Sequence, residues 1–149
     1  MMYEKLIHFA FAVNHVDHFE AKHFGVADKY LIYKWDNDEL VYFKETINLF
    51  KTFDEEQEHG SQKKGRAIIE LLKNSGVKVL VSKQFGKNIQ MVNRHFIPVI
   101  VYTEKLNEVI PLLKKHMKWV EDELSHKPEE FKLFTMKNGV LKTIIKKEE

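Results

Sequence analysis

The chain has 149 residues, a formal net charge of +2, 44% hydrophobic and 31% charged residues, eight histidines and no cysteine. That length suits one domain, or a core with an appendage, and suffices for a hydrophobic core. The absence of cysteine excludes a disulfide framework, a cysteine zinc site, a thiolate-held iron–sulfur cluster and a thiol nucleophile, and the near-neutral charge gives no general case for nucleic acid.

Lys5 to Val13 is apolar on both faces, with Ile7, Phe9, Phe11 and Val13 alternating against Leu6, Ala10 and Ala12. This predicts a central strand covered on both sides. The run is too short to span a bilayer, is interrupted by His8 and lacks the flanks of a secretory signal. A cytoplasmic protein with no membrane partner is the expectation. Asn14 to Gly25 breaks the pattern and reads as a loop holding His15, His18 and His23. Ala27 to Trp35 and Glu39 to Ile47 predict a hairpin around Asp36-Asn37-Asp38. Asn48 to Lys64 is polar and reads as a second long loop.

Gly65 to Asn74 has a helical period, stopped at Asn74-Ser75-Gly76. Val77 to Ser82 reads as a short buried strand. Gln84 to Asn88 reads as a turn, with Asn88 as a candidate cap for a helix to about His95. Pro98 to Tyr102 reads as another strand. Helix–strand–helix–strand implies parallel strands with helical crossovers. Leu106, Ile110, Leu113, Met117, Val120 and Leu124 form one apolar stripe on a long helix, which Pro111 should kink or divide. Phe131 to Met136 and Val140 to Ile145 flank Asn138-Gly139 as a second hairpin. The expected division is an α/β domain over residues 1–114 and an extension over 115–149.

Three segments fall in a distinctive order. They are His23-Phe24-Gly25 with Ala27 and Tyr30 to Tyr33, His59-Gly60 before Lys64-Gly65-Arg66-Ala67, and Gln84-Phe85-Gly86-Lys87-Asn88. Together they resemble the dinitrogenase iron–molybdenum cofactor biosynthesis family over roughly Lys5 to Leu113. The resemblance implies a ribonuclease-H-like α/β fold with a mixed five-stranded sheet and flanking helices. It implies a nitrogenase accessory role: binding or carrying the iron–molybdenum cofactor or an iron–sulfur precursor, with a cofactor-assembly or acceptor protein as partner. His23 inherits the metal-contacting role, and Phe24, Gly25, His59 and Gly60 inherit the same loop region. Family members with extra cysteines have a second class of ligand that this chain lacks.

An imidazole is a good neutral ligand for iron near pH 7. His15, His18 and His59 are candidate second ligands beside His23; solvated loop histidines are the competing reading. Lys63, Lys64 and Arg66 crowd the expected start of the Gly65 helix, where an anionic cofactor would be favoured. Lys87 and Asn88 form a second candidate of that type. His8 reads as a core residue, and His116 and His126 as solvent-facing. No nucleophile–base pair is apparent, so a non-catalytic carrier is the first expectation. A metal-dependent nuclease-like enzyme is one alternative, although the first strand carries no Asp or Glu. A homodimeric interaction module built on the C-terminal extension is the other.

Overall fold

Strand β1, Ile7–Val13, sets the architecture. Its alternate side chains enter two separate cores: Phe9, Phe11 and Val13 on one face, Ala10 and Ala12 on the other. A strand buried on both sides in this way must lie inside a sheet covered by helices. The computed structural model describes residues 6–52, 60–137 and 139–145. Strands β2 (Lys29–Asp36) and β3 (Glu39–Ile47) follow as the predicted hairpin. Asn37 and Asp38 take φ of 50° and 62°, the left-handed pair that a two-residue turn between twisted strands requires.

Helix α1 (Gly60–Asn74), strand β4 (Val77–Ser82), helix α2 (Ile89–Val92) and strand β5 (Ile97–Val101) come next. Helices α3 (Leu106–Lys115) and α4 (Met117–His126) and strands β6 (Leu133–Met136) and β7 (Val140–Thr143) complete the described chain. The sheet order is β3-β2-β1-β4-β5-β6-β7. The β1–β4, β4–β5 and β5–β6 pairs are parallel, and the two outer hairpins are antiparallel. Ile68, Ile69 and Leu72 of α1 and Val92 of α2 pack on the alanine face of β1. Val109 and Leu113 of α3 and Met117 and Val120 of α4 pack on its phenylalanine face.

Five expectations are corrected. The sheet has seven strands, not five: the C-terminal hairpin joins it, because β6 pairs with β5 (Val99↔Phe134, Val101↔Met136) and buries Phe134 and Met136. α1 starts at Gly60 rather than Gly65, because polar residues extend the helix where no apolar period marks it. α2 ends at Val92, short of His95, and the Asn88 side chain does not cap it. The long helix breaks at His116, while α3 passes through Pro111. Pro111 and Asn107 are exposed, so the carbonyl that loses its partner to the proline faces water. His116 is half-buried rather than solvent-facing, and burial lowers its pKa. The apolar stripe itself covers the sheet through Val109, Leu113, Met117 and Val120.

Truncation after Lys114 tests how far the extension belongs to this core. It removes the buried Met117, Val120, Phe134 and Met136 and bares the β5 edge. Deleting one such side chain costs about 2–5 kcal/mol, against a net domain stability of roughly 5–15 kcal/mol. The shortened chain is expected to lose its cooperative thermal transition. A sharp transition at an unchanged temperature would make residues 1–114 a self-sufficient domain.

Candidate functional site

β1 and β4 are adjacent and parallel, but the chain leaves them in opposite directions, toward β2 from one and toward β5 from the other. Such a switch point opens a crevice beyond the carboxyl ends of the strands, the usual ligand position in open α/β sheets. The loops after β1 and β4 meet there. His23 forms a parallel bridge with Gln84, and the Phe24 amide donates to the Gln84 carbonyl at 3.1 Å. Gln84 Nε2 returns a hydrogen bond to the Ala21 carbonyl at 3.0 Å.

Beyond this bridge, Phe24–Val26 form a 3-10 turn. The Gly25 amide donates to His23 Nδ1 at 3.2 Å, so the imidazole caps its own loop. The carbonyls of the turn are held from below. The Tyr30 hydroxyl donates to Phe24 O at 2.8 Å, and burial pushes the pKa of this phenol far above its ordinary range, keeping it a donor. Asn48 Nδ2 donates to Gly25 O at 3.0 Å and to Ala27 O at 2.8 Å, while its Oδ1 accepts from the Phe50 amide. Asn48 is 6% exposed.

Above the turn lies a pocket of about 240 Å³. His23 and Gly25 line it from the first loop, Lys64 and Gly65 from α1, and Phe85, Gly86, Lys87 and Asn88 from the loop after β4. Among the described residues, the lining contains two lysines and no carboxylate. Lys64 is only 2% exposed, and its ammonium donates to the Lys51 carbonyl at 3.0 Å. Gly86 has φ of +68°, a conformation that disfavours a side chain, and a Cβ there would lie 3.4 Å from His23 Cβ.

The structure therefore brings His23, Gly25 and Lys64 together. Phe24 is fully buried beneath them, its ring 5.8 Å from that of Phe85. Arg66 is exposed on α1 and does not line the pocket, Gly60 opens α1, and His59 lies outside the described residues. His15 and His18 are exposed and away from the pocket. The basic group is also displaced from a helix start, since α1 is already under way when it reaches Lys64. Among the described residues, no group of three or more His, Asp or Glu side chains is placed to hold a bare metal ion. Sequence reasoning missed Tyr30 and Asn48 as supports, and Gly65, Phe85 and Gly86 as lining; the Gln84 to Asn88 segment was the available signal for the last two.

This is an α/β protein with a small, cation-lined pocket at the switch point of a mixed sheet. The profile of the dinitrogenase iron-molybdenum cofactor family matches residues 5–116, most of the chain, and the protein belongs to that family. Membership implies a part in the biosynthesis or binding of the iron–molybdenum cofactor. No curated protein matches the chain. No helix among the described residues is long and apolar enough to cross a membrane.

Asn48→Ala is expected to leave two buried carbonyls and one amide without their partner. An unsatisfied buried group costs about 1–3 kcal/mol, so destabilisation of about 2 kcal/mol or more should appear in urea unfolding. A loss below about 0.5 kcal/mol would mean that water replaces the carboxamide.

Proposed function

We propose that the chain is a non-catalytic carrier of the iron–molybdenum cofactor or a related iron–sulfur metal cluster. The cargo docks in the β1–β4 crevice, with His23 ligating an iron or molybdenum. Phe24 and Gly25 shape that loop, Lys64 supplies charge, and His59, Gly60 and Arg66 belong to the adjoining segment. The observation that carries this reading is the convergence of His23, Lys64 and the Phe85–Asn88 loop on one pocket.

Charge and size favour it. Two lysines and, among the described residues, no carboxylate suit an anionic cluster. A volume of about 240 Å³ falls below the roughly 300–1,000 Å³ of sites that enclose a drug-sized ligand. The pocket would grip one end of a cluster and leave the rest accessible to an assembly or acceptor protein. A single imidazole also suits a cargo that arrives with its own sulfides and must be handed on.

Ligation carries a consequence for the loop. A neutral ring bound to metal through Nε2 holds its proton on Nδ1. In this geometry that proton would face the Gly25 amide, which now donates to Nδ1. Docking therefore releases the cap, and the Gly25 amide should exchange its hydrogen faster in the loaded protein.

His23→Ala is expected to weaken binding of isolated cofactor by about 100-fold or more, since loss of an outer-shell partner alone costs a metal site about 10–100-fold. It should also cost about 1 kcal/mol of stability through the lost cap. Asn is a preferred capping residue, so His23→Asn should lose the affinity and keep the stability. Anaerobic titration with thermal melts separates the two effects. Parent-like affinity in both variants would remove His23 from the site.

A further inference from the structure

Asn88 stands where a helix cap belongs, immediately before α2, yet its side chain does not cap that helix. It lines the pocket instead, against α1 at Gly65. A Cβ built on Gly65 would lie 2.7 Å from Asn88 Nδ2, closer than real Cβ atoms come, and 3.0 Å from Cγ, a tight contact. Gly65 is an interior residue of a 15-residue helix, where glycine is less favourable than alanine. Its presence calls for a reason, and the carboxamide lying against it supplies one.

We infer that Asn88 is a hydrogen-bonding contact for anionic sulfur or oxygen atoms of the cargo, and that Gly65 lacks a side chain in order to admit it. A carboxamide offers two N–H donors without adding charge. Beside Lys64 and Lys87 it completes a lining that attracts an anion and directs hydrogen bonds to it. Charge alone would hold an anion in many orientations, and a directional donor in the same lining favours one. The inference rests on the pocket's being the cargo site proposed above, and it names how the anionic face of that cargo is recognised.

The geometry predicts unusual behaviour for the glycine. The atom nearest the missing Cβ is the end of a mobile side chain, so Gly65→Ala should turn Asn88 aside without straining the fold. Alanine also favours the helix. The variant should therefore melt at the same temperature as the parent or higher, and bind less well. Asn88→Asp keeps the shape and replaces a donor with a negative charge.

The test uses the full chain and two probes under anaerobic conditions: tetrathiomolybdate, an anion bearing only sulfides, and isolated iron–molybdenum cofactor. Equilibrium dialysis gives the affinities and thermal unfolding the stabilities. Loss of a hydrogen bond to a charged group is worth about tenfold or more. That loss is expected for Asn88→Asp and for Gly65→Ala with both probes, with no fall in melting temperature for Gly65→Ala. Parent-like affinity in Asn88→Asp would overturn the role of Asn88. Early melting of Gly65→Ala would make the glycine a packing requirement and overturn its role. If the parent binds tetrathiomolybdate alone and both variants weaken it, the recognition stands and the cofactor reading falls. A parent that binds neither probe sinks both.

Discussion

Backbone carbonyls that turn inward at a buried crevice must find donors, and the site depends on how that demand is met. Between Phe24 and Ala27 the chain aims three carbonyls at the core. Tyr30 takes one and Asn48 takes two. These bonds fix the floor of the pocket, because the same residues carry the amide that engages His23. Asn48 is held in turn by position. Its amide donates to the Asp28 carbonyl, and the Asp28 amide donates to Val13 at the end of β1. Lys51 pairs with the Asp28 carboxylate and holds its pKa below the usual range. Lys64 of α1 then donates to the Lys51 carbonyl. One run of hydrogen bonds thus joins β1, the β2 start, the segment after β3 and α1 around the crevice.

The two faces of β1 divide the work. Phe9 and Phe11 meet α3 and α4 through bulk. Ala10 and Ala12 leave room on the opposite face for the α1 layer, and that layer carries Phe24, Tyr30 and Phe85 in its core together with Ile68 and Leu72. The pocket sits at the edge of this second layer, so its apolar floor is continuous with a close-packed core and resists collapse. The first layer supplies no lining residue. C-terminal growth of the sheet, which takes place at β6 and β7, therefore extends the fold away from the crevice.

Period-two and helical patterns made most elements legible, because β1, the first hairpin, β4 and the apolar stripe each present a continuous face to one core. What stayed hidden was set by tertiary contacts or lay in residues without a pattern. The first turn of α1 runs through Gly60 and Gly65 among polar residues and carries no apolar period. The C-terminal hairpin was visible as a hairpin, but its docking on β5 depends on an edge that no local signal reveals. At the site, the three motif segments were legible by resemblance, and their convergence needed the β1–β4 adjacency. Asn48 could not be read at all: a buried asparagine that satisfies two carbonyls looks in sequence like any asparagine at the end of a strand. Asn88 was legible as a cap, and that role is the one it does not fill.

The missing cysteines and the one histidine that lines the pocket among the described residues fit one logic. A cluster held by several thiolates is retained by the sum of strong bonds, and transfer must break them all. Here the lining offers two ammonium groups, one carboxamide and one imidazole. Electrostatic attraction to an anion acts over a distance and does not require a bond to form or break. On the proposed ligation through Nε2 the imidazole would add direction, and its hold would be opposed by the Gly25 amide, which recovers Nδ1 as its acceptor when the metal leaves. Binding and release then differ by the exchange of one hydrogen bond for one ligand bond. On the carrier reading proposed above, such a pocket would gather a cluster by attraction and let it go as that hydrogen bond re-forms.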